Sequence, residues 1–383
     1  MKVIIIGGGI AGLTTAIALR QHGIQVQVFE AARRFAPVGK GIWVSPNAMR
    51  VLQRWGLAQQ VEEAGIPLER VEIIDRKDGL IRAMDLRSIR DRLGHTTISI
   101  HRAALHRILR SKLPQKTLRL GKTCQGLKIY DDAVVARFKE GGKATGDLLV
   151  GADGIRSYIR HAVDPFNELR YSGQSCYRGI ASFTLPPERL HTAQEIWDGD
   201  VRFGFSAIGA NQVYWYAPFV APPRQAAATE GLTEELLARY AAFPDPVREL
   251  IRHTPPESII RTDLFDLEPL KRWWVDRIVL VGDAAHAMTP NLGQGAAQAM
   301  EDAWVLAEEL ARNKKDIPRA LETYERRRRE RVERVVKKSR LMGRAAHIRH
   351  PALRWLRNRY LRRIPKKRLE QDMLWLYQGI FAE

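Results

Sequence analysis

The chain has 383 residues and a mass of 43.6 kDa, enough for about two to three domains. Apolar residues make up 45% and charged residues 27%, a globular mix that excludes a disordered or collagen-like chain. The formal net charge of +19 is local: residues 312–368 hold 23 Lys and Arg against 5 Asp and Glu, so the rest is close to neutral, and a nucleic-acid-binding body is not expected.

In chain order, residues 3–6 read as a short buried strand and 7–12 (GGGIAG) as a Gly-rich turn. Residues 13–21 carry helical spacing that ends at Gly23, and 26–30 alternate as a second strand. The early apolar run is broken by glycines and lacks a cleavage site, which argues for a strand and against a secretory signal. Pro37 falls in a turn, Pro46 and Asn47 open a helix that closes near Gly56, and 101–113 has helical spacing. Residues 117–150 read as short strands turning at Gly141-Gly142. The stretch 171–220, dense in Tyr, Trp, Phe and Val, reads as an antiparallel sheet. A further strand covers 276–282, and everything from 295 onward reads as helix. No run of 18 apolar residues exists, so no membrane-spanning helix is expected. Cys124 and Cys176 are too few for a disulfide framework, which suits a reducing, cytoplasmic setting.

Gly7-x-Gly9-x-x-Gly12 follows a strand and opens a helix, with Ala11 inside the turn. This is where a dinucleotide pyrophosphate meets backbone N–H groups and the helix N-terminus. Glu30 ends the second strand, at the place where an acid bonds a ribose hydroxyl. The turn alone leaves FAD and NAD equally open. Two later segments each follow an apolar strand: GADGIRS at 151–157 and GDAAHAMTPNLGQG at 282–295.

In this order and spacing the three segments resemble the single-component FAD-dependent aromatic hydroxylases, with similarity to salicylate-hydroxylase-like, urate-hydroxylase-like and zeaxanthin-epoxidase-like members. The resemblance implies an α/β fold: a Rossmann-like FAD-binding domain interleaved with a mixed β-sheet substrate domain, plus C-terminal helices. The corresponding division is 1–75, 98–170 and 268–345 for the FAD domain, 76–97 and 171–267 for the substrate domain, and 346–383 for basic helices. It further implies that Asp283 bonds a ribityl hydroxyl. Gly293, Gln294, Gly295 and Ala296 would start a helix toward the flavin pyrimidine, and Pro290 would wall the flavin face. Arg102 and Asp153 would approach the phosphate region, with Trp43 and Cys124 touching the cofactor through their backbone. Lys40 departs from the small residue usual in relatives and is read either as pointing to solvent or as adding a cation near the FAD or the NAD(P)H approach.

The reaction so implied uses NAD(P)H as a transient co-substrate and dioxygen, and hydroxylates a small aromatic or heteroaromatic compound through a flavin C(4a)-hydroperoxide. No second Gly-rich nucleotide turn follows a strand, in keeping with a nicotinamide cofactor that only visits. The sheet over 171–220 is expected to build the substrate cavity, with Tyr177, Arg178, Trp197, Arg202, Phe203, Tyr214 and Trp215 as candidate lining residues. Of these, Arg202 and Tyr214 stand where urate-hydroxylase-like relatives hold their substrate, whereas Asn291 replaces an aspartate of those enzymes. His286 is read as a family element near the pyrophosphate and not as a base. A halogenase signature is missing: Trp215-Tyr216-Ala217-Pro218 does not match WxWxIP. Two alternatives remain: an epoxidase or hydroxylase of a larger apolar, terpenoid-like substrate at a membrane surface, and a non-catalytic flavin-fold scaffold.

Residues 319–343 read as a solvated amphipathic helix that packs on the FAD domain through Leu321, Tyr324, Val332, Val335, Val336 and Met342, with Glu322–Arg326, Glu325–Arg329, Glu330–Arg334 and Glu333–Lys337 at (i, i+4) spacing. Residues 349–368, with Trp355, Leu356, Tyr360 and Leu361 among basic residues, are suited to peripheral contact with an anionic membrane.

Overall fold

The computed structural model describes residues 1–35, 40–223 and 231–381; Pro37 lies outside them. A six-stranded sheet runs in the order Trp274–Val275, Ile278–Leu280, Leu148–Gly151, Lys2–Ile6, Gln25–Glu30, Leu118–Leu120. All neighbours are parallel except the first pair. Parallel strands need both faces covered, and Val3, Ile4, Ile5, Leu148 and Leu149 are accordingly fully buried. The helices Ile10–Gln21 and Gly295–Arg312 pack together beside this sheet. Residues 26–30 and 276–282 are therefore strands as expected, the latter shortened to Ile278–Leu280.

The second large layer is a seven-stranded sheet in the order Ile260–Leu267, Leu169–Ser182, Gln212–Val220, Val201–Gly209, Thr192–Asp198, Arg70–Asp75, Gly79–Asp85. It is antiparallel except where Thr192–Asp198 meets Arg70–Asp75. Arg70–Asp75 thus hydrogen-bonds into the sheet that carries residues 171–220, although it precedes residue 76. Side chains alternate across a strand, and here the alternation divides core from cavity. Tyr177, Phe203, Phe205, Val213 and Trp215 enter a core closed by the helices Leu232–Arg239 and Val247–Arg252. Trp197 is fully buried as well, so Tyr177, Trp197, Phe203 and Trp215 do not line the cavity, contrary to expectation. Arg178, Arg202, Tyr214 and Tyr216 face the other way, onto a cavity.

The C-terminal quarter is helical, in Gly295–Arg312, Ile317–Ala346, Pro351–Arg363 and Lys366–Gln378. Residues 319–343 lie in a helix whose Leu321, Tyr324, Val332 and Val335 are fully buried, as expected, but the arginine run is not all solvated. Arg328 is fully buried, with Nη1 2.5 Å from Glu301 and Nε 2.8 Å from Asp302. Of the four expected pairs, Glu325–Arg329 forms; Arg326 donates instead to Thr323, and Glu333 pairs with Arg329. The last two helices do not project as a free basic tail. Arg354 reaches Asp75 and Asp198 at 3.1 and 3.0 Å, and Arg357 reaches Asp75 at 3.2 Å. Burial opposes ionisation of Asp75. Bonds from Asn358, Arg354 and two backbone N–H groups outweigh it and hold the carboxyl below its usual range. The helices thereby lie over the two outer strands of the seven-stranded sheet. No helix among the described residues is long and apolar enough to cross a membrane.

Candidate active site

The glycine turn after Lys2–Ile6 is shaped by two close approaches and one opening. Gly7 has φ +109°, and a Cβ there would stand 2.2 Å from the Ala152 carbonyl; one at Gly12 would stand 1.9 Å from the Gly7 carbonyl. At Gly9 an added Cβ would meet nothing within 4 Å, and Gly9, Ile10 and Ala11 line the large cavity. Glu30 sits beside this turn but does not line the cavity. Its Oε2 accepts from the Gly8 N–H at 2.6 Å and its Oε1 from the Ala32 N–H at 2.8 Å. The carboxylate expected at a ribose hydroxyl therefore clamps the turn to the second strand.

Asp283 follows Gly282 (φ +59°) and opens on the same cavity. Desolvation raises its carboxyl, against which His286 and Arg102 pull downward. Arg102 starts the helix Arg102–Ser111. Burial pushes its pKa down, and among the described residues its guanidinium makes no side-chain hydrogen bond. A half-buried cation with no bonded partner among the described residues, facing a cradle open at Gly9, fits a pyrophosphate-bearing cofactor. Gly293 (φ +62°) precedes the helix Gly295–Arg312; Gly293, Gly295 and Ala296 line the cavity, where the first N–H groups of a helix lack intrahelical partners. The Gln294 side chain turns inward: it donates to Ser45 at 3.0 Å and accepts from Asn47 at 3.1 Å.

Two expected contacts are placed elsewhere. Asp153 accepts from Ser157 Oγ at 2.5 Å and from the N–H groups of Tyr158 and Ile159, so it caps its own loop while its neighbours Ala152 and Gly154 reach the cavity. Cys124 is buried in the strand Cys124–Ile129, off the cavity, with burial pushing its thiol up to about 11. Lys40 is not in open solvent: burial, with Arg178 and Arg102 nearby, lowers its pKa.

The far side of the cavity carries Arg202, Tyr214 and Pro290 as the sequence placed them. Arg202 is 2% exposed, its Nη1 2.9 Å from Glu195 Oε1 and its Nη2 2.8 Å from Asn291 Oδ1. Glu195 also accepts from Trp197 Nε1 and Tyr216 Oη. The charge of Arg202 is thus compensated within the protein. Tyr214 accepts from Arg178, and burial pushes its phenol up to about 12, so it stays protonated near neutral pH. With its oxygen engaged by Arg178, its proton is available to the cavity. Gly41 makes room for this ring; a Cβ there would lie 2.3 Å from it. Trp43 lines the cavity with Nε1 tied to Ser206 at 3.0 Å. Pro290 begins a short turn beside Asn291, whose Nδ2 donates to Thr289 and to the Ser339 carbonyl.

A family model described as an FAD binding domain matches residues 1–339. The chain belongs to this FAD-binding family. It is 36% identical over 370 residues to an aurachin C monooxygenase/isomerase of Stigmatella aurantiaca, covering 97% of this chain and 96% of that protein. It is 33% identical to a 2-heptyl-3-hydroxy-4(1H)-quinolone synthase of Pseudomonas aeruginosa, covering 97% of each. Among solved structures, a Klebsiella pneumoniae protein crystallised with FAD and uric acid superposes with a TM-score of 0.91 at 30% identity, covering 100% of this chain and 98% of that one.

Seen as an FAD-binding fold, the site depends on residues that the motifs did not reveal. Asp302 accepts from the Gly282 N–H at 2.9 Å, and its Oδ2 lies 2.5 Å from His286 Nε2, so it fixes the turn that presents Asp283. Arg328 holds Asp302 in turn, which makes His286 a structural member, as expected. Arg178, Glu195 and Tyr216 complete the polar wall. Leu361, Ile364, Met373 and Leu376 bring the C-terminal helices into the cavity. Arg178 lines the cavity as expected, and the signal for Tyr216 was present, since it shares a strand face with Tyr214. Nothing local announced the helices.

Proposed function

We propose that the chain is an FAD-dependent monooxygenase that uses NAD(P)H and dioxygen to hydroxylate an aromatic or heteroaromatic compound. One observation carries this reading: a single cavity joins the nucleotide cradle at Gly9, Ala11, Asp283 and Gly295 to the polar wall at Arg178, Arg202, Tyr214 and Tyr216. Bound FAD supplies the redox chemistry, taking a hydride from NAD(P)H and activating dioxygen.

The chain's residues do the rest. Gly9, Ala11 and Arg102 hold the diphosphate, and Asp283 takes a hydroxyl of the linker. The N-terminus of Gly295–Arg312 favours negative charge at the cavity wall beside it. Pro290 and Trp43 wall the reacting face and exclude water. Tyr214 donates its proton to an oxygen or nitrogen of the substrate while Arg178 fixes the phenol. Glu195 neutralises Arg202, whereas Arg178 bonds Thr262 and Tyr214 and no carboxylate among the described residues, so a ring with hydrogen-bonding heteroatoms or an ionisable hydroxyl suits the wall. The names of the aurachin and quinolone relatives support a heteroaromatic substrate.

The test is NAD(P)H oxidation under air by the FAD-loaded protein against a panel of phenolic acids, hydroxyquinolines and purines. Stimulation by a panel member with a hydroxylated product is expected. Bound FAD with no stimulated turnover by any of them would leave the scaffold reading standing instead.

A peripheral contact with anionic bilayers is a second proposal, for an otherwise cytoplasmic enzyme whose two free cysteines are buried. Leu353, Trp355, Leu356 and Tyr360 are each 54–63% exposed on one helix, with Arg359 stacked on Trp355. Co-sedimentation with phosphatidylserine vesicles, weakened by Leu356→Glu and Tyr360→Glu together, is the expected result; no sedimentation at low salt removes the proposal.

A further inference from the structure

The cavity continues past the polar wall. From Asn291 and Arg202 it extends between the outer strands Arg70–Asp75 and Gly79–Asp85 and the C-terminal helices, where its lining includes Ile73, Met84, Leu361, Ile364, Met373 and Leu376. Period-two alternation on each strand aims Val71 and Ile73, and Met84 and Leu86, at this space. These apolar side chains do not close on one another as a core would. They divide into two small clusters, one with Leu68, Leu86, Ile89 and Met373, the other with Ile73, Ile81, Trp197 and Leu361, and open space runs along them.

The charged groups around this arm are engaged with the protein. Lys338 pairs with Asp372 at 3.0 Å, tying Ile317–Ala346 to Lys366–Gln378. Arg82 donates to the Ile364 carbonyl at 2.5 Å, and Arg354 and Arg357 are held by Asp75. A polar substituent in the arm would lose its hydration without gaining partners. Water is held poorly where polar partners are few. A hydrocarbon chain meets neither cost.

We infer that the substrate is bipartite: a heteroaromatic head held at Tyr214 and Arg178, and a linear alkyl or isoprenoid chain lodged in the arm beneath the C-terminal helices. This rests on the monooxygenase reading above and names the substrate class within it. The C-terminal helices then act as a specificity wall, and they select for chain length where the polar wall selects for the head.

The experiment measures binding to the FAD-loaded protein, by perturbation of the flavin spectrum, for 4-alkylphenols and 2-alkyl-4(1H)-quinolones with chains from one to nine carbons. NAD(P)H oxidation is recorded in parallel. In at least one series Kd should fall about threefold to fourfold per methylene, the equivalent of about 0.8 kcal/mol for each buried CH₂, until the arm is filled. Ile364→Asp should flatten that slope, with FAD content and circular dichroism confirming the fold. A methyl compound that binds and turns over as well as its heptyl analogue overturns the inference while leaving the monooxygenase reading intact. A slope unchanged in Ile364→Asp overturns the placement of the chain. If neither series binds, the inference fails, and stimulation by a chainless phenolic acid would show that the monooxygenase reading stands without it.

Discussion

At the scale of single residues, the polar wall separates charge from hydrogen bonding. Arg202 is the strongest cation on the wall by sequence, yet Glu195 and Asn291 take up two of its nitrogens. The Arg202 Nε has no partner among the described residues, and Tyr214 is the other donor on the wall, with a phenol proton to give. Tyr214→Phe should keep FAD and lower kcat by roughly tenfold to a hundredfold, in the range of a lost proton donor or oriented hydrogen bond. Steady-state kinetics with an identified substrate checks it. Gly41→Ala should act through the same ring, since its Cβ would lie 2.3 Å from Tyr214; displacement of the phenol should lower activity to a similar degree. Part of this wall could be read in advance: the resemblance to the flavin aromatic hydroxylases named Arg202, Tyr214 and Pro290. Motif spacing placed Glu30, and the resemblance Asp153, on turns beside the cradle, where their carboxylates accept from backbone N–H groups and, for Asp153, from Ser157. Spacing gives the turn, whereas the rotamer depends on which N–H groups lie unpaired nearby.

At the scale of elements, the glycine-marked strand–turn–helix units were legible because positive φ and close approach leave so few alternatives. The C-terminal helices were legible as helices and illegible as a cavity wall. Their docking rests on Arg354 and Arg357 meeting Asp75, which is 279 and 282 residues away, and no local pattern reports such a pairing. The four Arg at 326–329 likewise read as a solvated run, while the structure buries Arg328 alone among them. Replacing Arg328 by Met would leave buried Glu301 with Arg331 alone and buried Asp302 with His286 alone among their ion-pair partners. It should destabilise the protein by about 3–5 kcal/mol, seen as a lower urea midpoint. A chain ending at His350 should retain FAD and lose water exclusion at the substrate end. More hydrogen peroxide per NAD(P)H oxidised is the expected readout.

For the whole molecule, buried titrating groups set an acid limit in two steps. Burial pushes His347 from its ordinary 6.5 down to about 4. The unfolded chain therefore binds a proton that the folded one refuses, and stability falls as the pH drops from about 6.5 to about 4. Burial opposes ionisation of Asp302 too, but His286 and Arg328 outweigh it and lower the carboxyl from 3.8 to about 2. Stability from that carboxylate is complete above about pH 4 and is lost as the pH falls toward 2. Urea midpoints at pH 7, 5 and 3 should decline successively, and His347→Gln should reduce the step between pH 7 and 5.

The most direct measurement is the flavin content of the purified protein, paired with that of Gly9→Leu. Gly9 has φ −74°, and nothing stands near its would-be Cβ, so a leucine there is compatible with the fold and fills only the cradle. The wild-type chain should be yellow with one FAD per polypeptide, and Gly9→Leu should fold with an unchanged circular dichroism spectrum and carry none. A colourless wild-type protein that takes up no added FAD, or a Gly9→Leu protein that retains it fully, would contradict the account.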